Sequence, residues 1–276
     1  MMNTRRLVLL IVASAACLCP VAAEAALLAY DGFDYAPAGS DLLGNSGGFG
    51  FLTPWRPGGF NASINTNYDV QSGSLSSGGL VTSGNRVSTN AVTAIAGLTR
   101  DFLTPLGVPG TTRYLSFLLR PEGQLHAGAF NGFLGLVLEQ PVEPELFVGK
   151  PGGGAIDRYV LEDRGGSLQI SSGVPTLVGE TVFLVLKAEF TAGTDQFTLY
   201  MNPVPGALEP GAGTVKNNSN VGTVAGLTLY STGAFSIDEL RLGETFADVT
   251  PVVPEPATWL LALWPAVAVI GARRRG

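Results

Sequence analysis

Apolar and polar residues alternate through the middle of the chain, and nowhere there do the apolar positions fall into the 3.6-residue spacing of an amphipathic helix. Thr181–Phe190 shows the pattern most clearly. Val182, Leu184, Leu186, Ala188 and Phe190 share one face of a strand, and Thr181, Lys187 and Glu189 share the other. Ala192-Gly193-Thr194-Asp195 then makes a turn, and Gln196–Met201 returns with Phe197, Leu199 and Met201 alternating, which predicts a hairpin. Shorter runs predict strands at Arg113–Leu119, Phe130–Leu138, Leu146–Gly149, Arg158–Leu161, Ser167–Ser171, Leu227–Tyr230 and Phe235–Leu242. The Gly/Ser/Asn-rich stretch Gly39–Ser83 reads as long loops between short strands. Many short strands punctuated by Gly and Pro predict an all-β fold, a sandwich or barrel, as one domain over residues 26–249.

The two ends break this pattern. Residues 1–25 read as a signal peptide, with Arg5 and Arg6 ahead of the apolar run Leu7–Cys17 and Ala23-Glu24-Ala25 as a small-x-small cleavage site for signal peptidase. The apolar run is shorter than the ~20 residues a span requires. Residues 250–276 form a tail in which Pro254-Glu255-Pro256 precedes the apolar stretch Ala257–Ala272 and then Arg273, Arg274 and Arg275. As a helix, the 16 apolar residues cover about 24 Å, short of a ~30 Å hydrocarbon core, so they span only by thinning the bilayer or snorkelling their flanks. The arginines place the C-terminus in the cytoplasm by the positive-inside rule. The domain then lies on the outer side of the inner membrane, in agreement with the signal peptide.

Composition narrows the chemistry. Both cysteines, Cys17 and Cys19, lie in the signal peptide, which leaves the processed chain without thiol catalysis, disulfides or Cys-based zinc sites. Between the two ends stand 11 basic and 20 acidic residues. Nucleic acids bind to surfaces of the opposite kind, so nucleic acid is excluded as a partner. His126, the single histidine, lies in a predicted loop with no Gly-x-Ser-x-Gly elbow to serve. Gly152-Gly153-Gly154 lacks the Walker spacing and a following helix.

Two resemblances follow from these residues. Over Val253–Arg275 the Pro-Glu-Pro motif, short apolar segment and terminal Arg cluster resemble the PEP-CTERM sorting signal of exopolysaccharide-producing Gram-negative bacteria. That resemblance implies recognition of Pro254, Glu255 and Pro256 and cleavage by an exosortase, an integral-membrane enzyme with a cysteine nucleophile. The alternative is an ordinary single-span tail anchor behind a Pro-rich stalk. Leu28–Tyr35 at the start, Ser236–Val249 at the end and the hairpin resemble exported bacterial proteins with a concanavalin A-like (laminin-G-like) jelly roll, a β-sandwich. The resemblance implies pairing of the first and last strands, with Tyr30–Tyr35 beside Ile237–Leu242. It says little of function, because that fold carries lectins, glucanases and structural modules.

Concanavalin A-like glucanases set carboxylates on alternate residues of one strand, and retaining chemistry needs two carboxyls ~5–5.5 Å apart. Only Glu143-Pro144-Glu145, Glu162-Asp163 and Asp238-Glu239 come near this pattern; the first is interrupted by proline, and the adjacent acids of the other two point to opposite faces of a strand. A non-enzymatic reading follows. Asp238 falls on the predicted core face with Leu240 and Leu242, while Glu239 and Arg241 point outward. A buried carboxylate needs hydrogen bonds or a cation, so Asp238 either caps backbone N–H groups or joins Asp31 or Asp34 around a calcium ion. Trp55 and Tyr68, with Phe60, Arg56 and Asn61 nearby, either contact carbohydrate or, for Trp55, plug the edge of the core. The function expected is an exported surface or matrix protein contacting exopolysaccharide. The alternatives are a diverged glycoside hydrolase or lyase, and a passive spacer.

Overall fold

The computed structural model describes residues 27–36, 38–140, 144–154 and 156–253. The signal peptide, Pro254–Pro256 and Arg273–Arg275 lie outside the described residues. The domain is an all-β jelly-roll sandwich of two antiparallel sheets. One sheet runs β13 (Thr214–Ser219), β12 (Asp195–Met201), β11 (Val182–Glu189), β6 (Thr112–Pro121), β15 (Phe235–Gly243), β4 (Arg86–Thr89) and β3 (Tyr68–Gln71), with β1 (Leu27–Asp31) also paired to β15. The other runs β10 (Ser167–Pro175), β9 (Arg158–Asp163), β8 (Leu146–Lys150), β7 (Leu134–Glu139), β14 (Val224–Ser231), β5 (Ala96–Leu106) and β2 (Arg56–Pro57). The chain passes between sheets at β1–β2–β3, β4–β5–β6–β7, β10–β11 and β13–β14–β15, which wraps one core from both sides. Among the described residues no helix is long and apolar enough to cross a membrane.

The predicted hairpin forms β11 and β12, with Leu186 opposite Leu199 and Ala188 opposite Phe197. Val182, Leu184, Leu186, Ala188 and Phe190 enter the core between the sheets. The opposite face of β11 is also buried. Phe183 and Val185 join Leu118, Tyr114 and Tyr200 under Leu75, Leu80 and the short helix α1 (Phe246–Val249). That helix starts at a capping box in which Thr245 accepts from the Asp248 N–H and Asp248 accepts in return. The outer face of the eight-stranded sheet is therefore covered by the chain itself, from the loop carrying Leu75 and Leu80 to α1.

The predicted pairing of first and last strands is present, with Tyr30 opposite Arg241 and Asp31 opposite Leu240. Other expectations change. Phe130 opens no strand. Ala129–Asn131 is a 3₁₀ turn, and β7 begins at Leu134. The 11-residue β5 went unpredicted because Arg100 and Asp101 interrupt its apolar pattern. Thr250–Val253, read as the start of the tail, belongs to the domain: Thr250 is buried, Val252 bridges Leu80, and the Val81 N–H donates to the Pro251 carbonyl at 3.0 Å.

Candidate binding cleft on the open sheet

Strands β14, β7, β8 and β9 send Leu227, Leu229, Leu134, Leu136, Leu138, Leu146, Val148 and Leu161 inward. The intervening residues build the other face, where Phe133, Val137, Phe147, Val160 and Tyr230 form a second, smaller apolar cluster with Ile95 packed against it. Register sets them in rows. Tyr230, Gly135, Gly149 and Val160 lie side by side, next to a row of Thr228, Val137, Phe147 and Glu162. A third row holds Glu139, Glu145 and Arg164, whose N–H donates to the Glu145 carbonyl at 2.8 Å. Gly135 is required here, since a Cβ on it would lie 2.3 Å from the Val148 carbonyl oxygen and 2.9 Å from Gly149 Cα in the neighbouring strand.

Above this floor is a cleft of about 600 Å³. Its apolar part is an aromatic cluster, with Phe133 4.9 Å from Tyr230 and 6.3 Å from Phe147 between ring centres. Its polar part is Glu162, Arg164 and Gln169. Gln169 donates to Glu162 Oε2 at 2.6 Å, and Arg164 Nε bonds Glu145 Oε2. Thr228 and Thr99 both donate to Glu139 Oε1. Burial first and the Glu139 charge second push the Glu145 carboxyl up to about 7, against the backbone hydrogen bond from Gln140. Burial also raises Glu162, opposed by the Gln169 hydrogen bond and the Lys216 charge.

Two rings in the cleft lining are exposed to solvent, Phe60 at 53% and Phe130 at 64%. Both are held in place. The Arg164 guanidinium lies 4.0 Å from the Phe60 ring centre, and the Tyr230 hydroxyl donates to the Phe60 carbonyl at 2.7 Å. Phe130 and Asn131 both have positive φ, 52° and 60°, a conformation that costs about 1–3 kcal/mol per residue. The surrounding chain enforces it. Gly153 N–H donates to the Phe130 carbonyl, Asn131 Nδ2 donates to the Gly153 and Gly154 carbonyls, and the Lys150 ammonium caps the Asn131 carbonyl at 2.7 Å. Gly152–Gly154 is thus a wall of the cleft, and Lys150 is a buried brace.

The residues singled out in the sequence sit elsewhere. Trp55 and Tyr68 are buried at 1% and 0% exposure, so neither ring can face carbohydrate. Trp55 stacks on Phe33 and donates to Asp31 Oδ2 at 3.0 Å, and the Tyr68 hydroxyl reaches the Leu229 carbonyl at 3.1 Å. Asp31 also accepts from Arg100 at 2.5 Å, the Tyr35 hydroxyl at 2.7 Å and the Phe33 N–H at 2.9 Å. Burial pushes its carboxyl up against these partners. Asp34 is exposed.

Asp238 is buried, on the face opposite to that expected. A bulge between Asp238 and Arg241, with Glu239 at φ 57°, puts Ile237 and Leu240 both toward the core and turns Asp238 outward opposite Leu118. There it accepts from the Leu75 and Glu239 N–H groups, both at 2.8 Å. Glu239 and Arg241, expected at the surface, are buried as a pair 2.5 Å apart, and the Tyr30 hydroxyl donates to Glu239 at 3.0 Å. The bulge therefore separates Asp238 from Asp31 and Asp34. Among the described residues no group of three or more His, Cys, Asp or Glu side chains is placed to hold a metal ion. His126 lies 3.3 Å from Asp157, both half exposed, away from the cleft lining.

Neither a protein-family model nor a curated protein matches the sequence. Several solved structures are similar in shape. The globular domain of T. cruzi calreticulin is 11% identical with a TM-score of 0.45, over 71% of this chain and 86% of that one. A β-1,3-glucanase from Mycobacterium marinum is 13% identical with a TM-score of 0.43, over 78% and 98%. A legume lectin-like domain from Entamoeba histolytica is 11% identical with a TM-score of 0.37, over 65% and 90%. At these scores the likenesses carry no argument about this chain.

Proposed function

We propose that this is an exported, non-catalytic polysaccharide-binding protein that takes a glycan chain into the cleft of the seven-stranded sheet. The observation that carries the reading is the pair of exposed, braced rings, Phe60 and Phe130, in the lining of a cleft whose floor presents Glu162, Arg164 and Gln169. Sugar rings offer apolar C–H faces and hydroxyl edges, and such a lining supplies aromatic planes for the first and acceptors and donors for the second. A rigid rim also lowers the ordering cost of binding. The terminal segments support a route to the glycan: signal peptidase would release residues 1–25, and an exosortase would recognise Pro254, Glu255 and Pro256 while Ala257–Ala272 and Arg273–Arg275 hold the chain in the inner membrane.

Titration with the producer's own exopolysaccharide tests the binding. Phe60→Ala and Phe130→Gly should each weaken it about five- to fifty-fold, the equivalent of ~1–2.3 kcal/mol for a lost stacking surface. Unchanged binding in both variants would sink the cleft as the site. One observation favours hydrolysis as a second reading: Glu145, with a carboxyl raised to about 7, stands in the row next to that of Glu162. Release of reducing ends that disappears in Glu145→Gln would establish it.

A further inference from the structure

We propose that the face where the tail leaves the domain is a lipid-contact surface, seated on the headgroups of the bilayer that receives the tail. The inference rests on the reading of 257–272 as a membrane segment and is independent of the glycan cleft. Three segments meet at this face. Val252 bridges Leu80, the Val253 N–H donates to the Gly79 carbonyl at 3.1 Å, and the Gly206 N–H donates to the Thr250 carbonyl at 2.9 Å. The chain is therefore fastened to the domain up to Val253, and no slack precedes Pro254.

The distance then follows from chain geometry. Val253 and Ala257 are four residues apart, at most about 14 Å when fully extended. The headgroup layer of each leaflet takes about 5–7 Å of that, from a total thickness of ~40–45 Å around a ~30 Å hydrocarbon core. With Ala257 at the hydrocarbon boundary, Val253 stands at most about 7–9 Å above the headgroups. The tail face is therefore the part of the domain held nearest the membrane surface.

The face suits that contact. Residues 76–81, 203–208 and 250–253 contain no charged side chain. They expose Leu208 at 92%, Val204 at 68%, Val253 at 54% and Val252 at 47%. Of the carboxylates around them, Asp248 is turned into the α1 capping box, Glu209 and Glu244 pair with Lys187 and Arg113 at 3.4 and 3.5 Å, and Glu255 follows in the tail itself. An apolar, uncharged rim at the root of an apolar tail is matched to an interface in which side chains such as Leu and Val insert between headgroups.

The test uses the chain from Ala26 to Gly276, which carries no native cysteine. Leu208→Cys takes an environment-sensitive fluorophore. Ala192→Cys, in the turn at the other end of β12 and about 23 Å away along the strand, takes the same label as a control. Vesicles of phosphatidylethanolamine and phosphatidylglycerol are added, and Trp259 and Trp264 report tail insertion separately. The expected result is a blue shift and nitroxide-lipid quenching at 208, an unshifted label at 192, and a blue-shifted tail. A shifted tail with an aqueous label at 208 would overturn the lipid-contact face alone, as would equal shifts at 208 and 192. Tail tryptophans that ignore the vesicles would remove the anchor reading and this inference with it.

Discussion

At the scale of single residues, Asp238 shows how burial converts a carboxylate into a titrating group. Its side chain is wholly enclosed, and burial first, then the neighbouring Glu239 charge, push it up to about 8 against the two N–H groups it accepts from. The unfolded chain binds that proton only below about 4. Between these values the folded state holds more protons than the unfolded state, so stability falls as pH rises through the window. Urea midpoints at pH 5 and pH 8 should show this fall in the parent and a shallower one in Asp238→Asn, which cannot ionise. Equal slopes in the two proteins would show that Asp238 is not the titrating group. The capping role also predicts that EDTA leaves the parent melting temperature unchanged, whereas a bound calcium ion would be lost to the chelator and lower it.

At the scale of elements, Asp31 and Arg100 tie the sheets together. Asp31 ends β1 on the eight-stranded sheet, and Arg100 lies in β5 of the seven-stranded sheet. Arg100 also donates to the Thr53 and Gly47 carbonyls, so one guanidinium fastens the long first loop to both sheets. Removing one partner leaves the other charge buried without compensation, a cost of about 3–5 kcal/mol. Asp31→Ala should lower the denaturation free energy by that amount, and a loss below ~1 kcal/mol would mean that water reaches the pair. The alternation of β11 and β12 made their pairing legible in the sequence. The length of β5 was not legible, because its two central charges are satisfied only by residues 45 or more positions away, Asp101 by Arg56 and Arg100 by Asp31.

At the scale of the whole molecule, the two sheets meet solvent differently. The chain covers the outer face of one with α1 and the loop carrying Leu75 and Leu80, and on the other forms the cleft over the Phe133–Tyr230 aromatic cluster. The domain also ends later than its strand pattern suggests. Three backbone hydrogen bonds, from Gly206, Val81 and Val253, join residues 250–253 to the domain, and each is worth about 0.5–1.5 kcal/mol. A protein spanning 27–253 should therefore be more stable than one ending at Val249 by about 2–4 kcal/mol. Identical thermal melts would show that these residues only rest on the surface.

Strand periodicity could be read from the sequence alone, because it is a repeating local pattern, whereas the pairing of the two chain ends joins residues about 210 positions apart and was implied only by the resemblance to concanavalin A-like proteins. The cleft could not be read there. Phe60, Phe130, Phe147, Arg164 and Tyr230 come together only when β14 inserts between β5 and β7, and no local spacing encodes that crossing. The fate of Asp238 was decided the same way. Period-two alternation put it in the core, and one bulge, held by the Glu239 contacts to Tyr30, Ser83 and Arg241, turned it to the opposite face. Local alternation fixes which residues can share a face, and long-range pairing decides which face each strand turns inward.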